Sequence, residues 1–178
     1  MIILMGPQGS GKGTQAQILA SVFKAKHLST GEMLRSSTDP KVHAKLERGE
    51  LFDDEDMTMV LKESLGKLSS DSKIILDGYP RNMNQVKLLD ELLVQRGEQV
   101  ESVIYITLSD EEAFKRMLKR GRADDTEAAI SQRLKQYKEE TMPVLEHFMK
   151  AGIMHEIDGL GSVEEVTNRI ETVVPWHS

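Results

Sequence analysis

Gly6-Pro7-Gln8-Gly9-Ser10-Gly11-Lys12-Gly13-Thr14 follows Met1-Ile2-Ile3-Leu4-Met5 without a spacer, and Ile18, Leu19, Val22 and Phe23 then recur at helical spacing. An apolar run, a glycine-dense turn and an amphipathic stretch read as a strand, a loop and a helix. In that setting the glycines let successive backbone N–H groups face inward around an anion. The helix N-terminus adds partial positive charge, and Lys12 can reach the outer phosphates. A merely tight turn needs one or two glycines and no lysine at this spacing. The stretch therefore predicts a polyphosphate cradle at the end of a buried strand. Gly13 stands where most phosphate loops carry the hydroxyl that ligates Mg²⁺, with Thr14 one position later.

Outward from the cradle, short apolar runs alternate with stretches of helical period. Candidate strands are residues 1–5, 26–29, 73–77, 102–107 and 153–157, and their apolar character predicts burial on both faces. Apolar stripes fall between them: Val60, Leu61 and Leu65; Val86, Leu88, Leu89, Leu92 and Leu93; and Val163, Val166, Ile170 and Val173. Residues 126–150 read as a long helix with a bend near Pro143. The pattern is α/β with a parallel sheet, and 178 residues suit one domain.

Composition removes several classes of function. The net charge of −6 has the wrong sign for a protein that works by neutralising a nucleic-acid backbone, so no nucleic acid is expected as partner. No apolar stretch approaches the length of a membrane span, so no membrane is expected either. The opening residues lack the features of a secretory signal, and a cytoplasmic protein is expected. Without cysteine there can be no disulfide, thiolate nucleophile or iron–sulfur cluster. His27, His43, His147, His155 and His177 never stand three or four residues apart, which gives a helical histidine metal site little support.

Two further segments lie at predicted carboxyl ends of strands, where open parallel sheets place their ligands. They are Leu28-Ser29-Thr30-Gly31-Glu32-Met33-Leu34-Arg35 and Asp77-Gly78-Tyr79-Pro80-Arg81. Arg35 and Arg81 suit a phosphate, because a planar guanidinium holds its oxygens in a fixed fork. Lys115, Arg116, Lys119, Arg120 and Arg122 form a basic cluster that Asp124 and Asp125 follow. Asp53, Asp54, Glu55 and Asp56 read as acids opening a helix, complementing its dipole, and not as a metal site. The NKxD segment with which GTPases read guanine is absent.

With these motifs in order, the chain resembles the nucleoside monophosphate kinases, and among them the short adenylate kinases. GPQGSGKGTQ, LSTGEMLR, DGYPRNMNQ, KRMLKRGRADD, SQRLKQY and the Gly161-Ser162 loop carry the likeness over nearly the whole sequence. Members usually have Ala-Pro or a similar pair where Pro7-Gln8 stand, Asp at Glu32 and Phe at Tyr79. The resemblance implies a phosphate-loop nucleoside triphosphate hydrolase-like three-layer fold with a five-stranded parallel sheet in the order 2-3-1-4-5. It implies one kinase domain over 1–178, with an AMP-binding excursion at 30–58 and a very short lid at 119–126.

The activity implied is MgATP + AMP ⇌ 2 ADP by a monomer. The alternatives are a UMP/CMP kinase and a nucleotide-binding module without turnover. The catalytic set implied is Lys12, Arg81, Arg120, Arg122 and Arg133. For ATP the match gives Gly9, Ser10, Gly11, Lys12, Gly13, Thr14, Arg116, Arg120 and Gly161. For AMP it gives Thr30, Arg35, Glu50, Leu51, Phe52, Gly78, Tyr79, Pro80, Arg81, Gln85, Arg122 and Arg133. Asp77 would orient water around Mg²⁺. Thr30 and Gln85 replace the alanine and asparagine of the pyrimidine kinases, which favours adenine. With one residue between Arg120 and Arg122, either both lid arginines enter the site or only one does; both are expected, with Asp124 and Asp125 holding Arg122 and Arg133.

Overall fold

The computed structural model describes residues 1–48, 52–121 and 125–176. Five parallel strands, β1 Ile2–Met5, β2 Lys26–Ser29, β3 Ile74–Asp77, β4 Ser102–Thr107 and β5 Met154–Asp158, form one sheet in the order β2-β3-β1-β4-β5. This is the fold class and strand order expected from the sequence. Nine α-helices of the described residues complete the chain: α1 Lys12–Val22, α2 Thr30–Ser36, α3 Pro40–Arg48, α4 Asp54–Gly66, α5 Met83–Arg96, α6 Asp110–Arg120, α7 Glu127–Gln136, α8 Met142–Lys150 and α9 Val163–Glu171. None of these helices is long and apolar enough to cross a membrane.

Strand periodicity divides the core between the two faces of the sheet. Ile2 and Leu4 point to the side that α1 and α9 cover, joining Leu19, Ile104, Ile106 and Ile170. Ile3 and Met5 point to the other side, with Leu61, Leu76, Leu89 and Val144 from β3, α4, α5 and α8. A satellite cluster of Ala113, Met117, Ile130 and Leu134 joins α6 to α7.

Two sequence expectations change. The strands β1, β3 and β4 are buried on both faces, but β2 and β5 are the sheet's edges and only Ile157 among their residues is fully covered. Val22 and Val163 are exposed rather than core, because they end α1 and begin α9. The interruption expected near Pro143 is present, as a change of helix type and not as a gap in the helical path. A π-helical turn, Tyr137–Thr141, joins α7 to α8 just before Pro143. Pro143 thus falls in the first turn of α8, where a missing backbone N–H costs the ladder little.

Candidate active site

The loop after β1 owes its path to close approaches that only glycine tolerates. At Gly6, with φ of 145°, a Cβ would stand 2.4 Å from the Ile106 carbonyl oxygen. At Gly9, with φ of 88°, it would stand 2.8 Å from that of Ala113. The loop therefore lies against β4 and α6 and delivers Gly11 as the N-cap of α1. Lys12 folds back over it, Nζ donating to the carbonyls of Gly6 at 2.6 Å and Pro7 at 2.9 Å. Desolvation pulls its pKa down to about 8, with Arg81 and Arg120 reinforcing the shift and Asp77 opposing it. An arriving phosphate would supply the missing counter-charge. Ser10 is buried beside the loop, and its Oγ has no partner among the described residues.

The cradle forms one wall of a cleft of about 970 Å³. Asp77, at the carboxyl end of β3, enters it; a Cβ at Gly13 would stand 3.5 Å from Asp77 Oδ2, so this carboxylate faces the start of α1. His27 Nε2 stands 3.9 Å from the same oxygen. Four arginines line the cleft, Arg81, Arg116, Arg120 and Arg133. Arg81 comes from the loop after β3, with Asp77 and Glu140 as its charged neighbours. Arg116 reaches from α6 to Glu112 at 2.8 Å and to the Gly159 carbonyl at 3.1 Å.

Arg120 and Arg133 share one carboxylate. Asp125, its side chain 0% exposed, accepts from Arg120 Nε at 2.9 Å and Nη2 at 2.8 Å, and from Arg133 Nη1 at 3.0 Å. Gly121, left-handed at φ of 63°, caps α6 and turns the chain after Arg120. The expectation that Asp125 serves Arg133 is met, but it also serves Arg120; Arg122 and Asp124 lie outside the described residues. A lysine and four guanidiniums around one opening suit a ligand with several phosphate groups.

A family model described as adenylate kinase matches residues 4–153. The Adenylate kinase of Prochlorococcus marinus is 42% identical over 176 residues, 96% of each chain. That of a Synechococcus species is 38% identical over 179 residues, 97% of each chain. Adenylate kinase 1 of a Synechocystis species is 40% identical, covering 97% of this chain and 96% of its own. The chain belongs to the adenylate kinase family.

Adenylate kinases transfer a phosphoryl group from ATP to AMP, and the second half of the cleft holds the candidates for the acceptor. Thr30, buried at the start of α2, stands with Oγ1 3.4 Å from Arg81 Nη2 and 3.5 Å from the Asp77 carbonyl oxygen. Gly78, Tyr79 and Pro80 line the opening. Tyr79 Oη contacts Thr58 Oγ1 at 2.8 Å and donates to the Gln85 carbonyl at 3.2 Å. Gln85 does not line the cleft: it is buried, Oε1 accepting from the Arg81 N–H at 2.7 Å and Nε2 donating to Asp54 Oδ1 at 2.7 Å. An amide has two acceptor and two donor positions, so one of each remains for a ligand.

Phe52 is half-buried against the main core, and Gly161 lies in the loop before α9, away from the cleft lining. Gly9, Gly11, Gly13 and Thr14 line it, and Ser10 sits behind them. Glu50, Leu51 and the Arg35 side chain lie outside the described residues.

Sequence reading missed several neighbours. Asp53 does cap α4, accepting from the Asp56 N–H at 2.8 Å. Asp54, however, is more than a helix-opening acid: it collects the amides of Asn82, Asn84 and Gln85, and these hydrogen bonds hold its carboxyl below the ordinary range against the opposing effect of desolvation. Gln8, His27, Glu140 and Thr141 also line the cleft. Thr141 is buried at the end of the π turn and donates to the Arg81 carbonyl at 2.9 Å. Replacing it by valine should raise the KM for AMP about 3- to 10-fold, the worth of one hydrogen bond, with little change in the KM for ATP. Steady-state kinetics of Thr141→Val beside Thr141→Ser checks this, the serine restoring the parental value.

Proposed function

We propose that this cleft transfers the terminal phosphoryl group of MgATP to AMP, reversibly giving two ADP, with the roles divided as follows. Gly9, Ser10, Gly11, Gly13 and Thr14 embrace the donor phosphates. Lys12 leaves the loop carbonyls for the outer phosphate oxygens. Arg116 and the Gly161 loop flank the donor's base. Arg35 and Arg81 clamp the AMP phosphate. Arg120, Arg122 and Arg133 surround the phosphoryl group in flight. Thr30, Gln85 and the rim of Glu50, Leu51, Phe52, Gly78, Tyr79 and Pro80 receive the AMP adenosine. The observation that carries this reading is the meeting of Lys12, Arg81, Arg120 and Arg133 around one opening. Phosphoryl transfer asks for alignment and positive charge more than for covalent help. No general base is needed, since the AMP phosphate is already an anionic nucleophile.

The residues present fit Mg²⁺. No group of three acidic or histidine side chains suited to a metal occurs among the described residues, and one carboxylate, Asp77, faces the cradle. Magnesium bound to nucleotide keeps several waters and takes one or two carboxylates. Bound there, the ion would neutralise charge on the donor phosphates, and Asp77 would hold its waters. The working form proposed is a monomer, because the cleft is built within one chain, and its proposed place is the cytoplasm. The excursion 30–58 and the lid 119–126 are its proposed moving parts, excluding water on closure.

A coupled assay offering ATP with AMP, CMP, UMP or GMP tests the reading. AMP should give the highest kcat/KM; preference for CMP or UMP would move the chain to the pyrimidine kinases, and no transfer to any acceptor would leave a binding module. Gln85→Asn should reduce the preference for AMP over CMP within the roughly 1–3 kcal/mol of a bidentate base contact. Asp54 makes that test sharper, because the shorter side chain loses its anchor as well as its reach.

Lys12 adds a pH dependence. In the free enzyme it loses its proton near pH 8. The protonated form binds the polyanion, so kcat/KM for ATP should fall as pH rises through about 8. In the ternary complex phosphate raises the pKa again, so the limb in kcat should lie higher.

A further inference from the structure

We propose that Gln8 is a direct ligand of the phosphoryl group in transfer, donating from Nε2 to one of its oxygens while Oε1 steadies Arg133. The proposal rests on the reading of the cleft as the transfer site and adds a residue to it.

Gln8 stands in the cradle between the two carbonyls that hold Lys12 and the close-packed Gly9, and it lines the cleft. The other side chains of the loop between Gly6 and Gly11 are the proline ring of Pro7 and the buried hydroxyl of Ser10. Gln8 alone presents a polar group of any length from this turn. Its Oε1 lies 3.4 Å from Arg133 Nη1, the guanidinium that also meets Asp125 at 3.0 Å.

A guanidinium has donors only, so the amide must present its oxygen to Arg133 and turn its nitrogen the other way. That nitrogen has no acceptor among the described residues. Three other glutamines, two of them buried and one on the cleft wall, have their amide nitrogens engaged, whereas Gln17, exposed at the cleft edge, has no amide partner among the described residues. Gln85 gives its Nε2 to Asp54, Gln15 to the Val163 carbonyl, and Gln136 to Glu140. The Gln8 amide is thus oriented on one side by a cation and left with two donors beside the lysine and arginine of a phosphate site. An anionic oxygen is the ligand that such a group accepts, and donors fixed in advance are worth most where charge spreads in the transition state.

The test is rapid-quench single-turnover transfer from saturating ATP to saturating AMP by the parental enzyme, Gln8→Glu and Gln8→Met. Thermal midpoint and AMP affinity are measured on each. Glutamate keeps an acceptor for Arg133 but brings no donor and adds a charge that itself repels the phosphates; methionine keeps the length, stays neutral and has neither donor nor acceptor of that strength. Both variants should transfer about 10- to 100-fold more slowly, within or somewhat below the loss from one preorganised donor, with thermal midpoint and AMP affinity near the parental values. If Gln8→Glu keeps the parental rate, Gln8 acts only by steadying Arg133 and the proposal is overturned. A parental rate in Gln8→Met, whatever glutamate does, overturns it as well. A slow rate accompanied by an equally weakened fold or AMP site points to a structural role and also overturns it. Failure of the parental enzyme itself to transfer to AMP would instead remove the reading of the cleft.

Discussion

Lys12→Met should slow phosphoryl transfer by about 10²- to 10³-fold, the cost of losing a preorganised charge at a phosphate, and should raise the thermal midpoint at pH 7. The two effects have one origin. Lys12 is held ionised where it is poorly hydrated, against loop carbonyls and near two arginines. Its pKa in the fold is about 8, below the ordinary 10.5, so the folded protein binds this proton less tightly than the unfolded chain does. The ionised lysine therefore costs stability below about pH 8, and the cost is relieved as pH rises from about 8 to 10.5. Scanning calorimetry of both proteins at pH 7 and pH 10 should give a positive difference that shrinks at the higher pH. A midpoint lowered at pH 7 would mean that the lysine stabilises the free enzyme.

Asp125→Ala should have the second-largest effect, lowering transfer about 10²-fold through two residues at once. Arg120 and Arg133 lie on either side of a carboxylate with no access to water, while their own side chains are 31% and 22% exposed. Without it the guanidiniums repel each other and lose the geometry proposed for meeting a phosphate. Breaking a buried pair costs about 3–5 kcal/mol; since these arginines still reach solvent, about 2–3 kcal/mol is expected from denaturant unfolding. Asp125→Asn keeps one acceptor oxygen, which can still take the two bonds that Oδ1 accepts, but loses the charge and the second acceptor, and should recover more of the stability than of the rate. Equal recovery of both would make Asp125 a structural residue alone.

The parts of this molecule that were legible in its sequence are those where one local rule dominates. The cradle follows from glycines set between a strand and a helix, and Lys12 and Arg81 fall in the cleft because the loops that lead to them leave the carboxyl ends of β1 and β3. The central strands are short apolar runs whose alternate residues feed two separate cores. What was hidden depends on distant pairings. Asp54 looks like any first-turn acid until α5 brings three amides to it. Thr141 meets Arg81 across 60 positions because a π turn aims it there, and a five-residue widening leaves no periodic trace. Val22 and Val163 fit their apolar stripes yet stand at helix ends beyond the cover of the sheet. The sequence points Asp125 to one arginine, and the structure gives it two, because the turn at Gly121 is a matter of backbone path and not of spacing.

The most direct measurement is the fate of a radiolabelled terminal phosphate in a single turnover of ATP with AMP, quenched on the millisecond scale. A cleft in which Lys12 and the arginines align donor and acceptor predicts that the label passes in one phase to the β position of ADP formed from AMP. Label bound to protein before it reaches AMP, or released as inorganic phosphate at the same rate while AMP is present, would contradict direct transfer in this cleft.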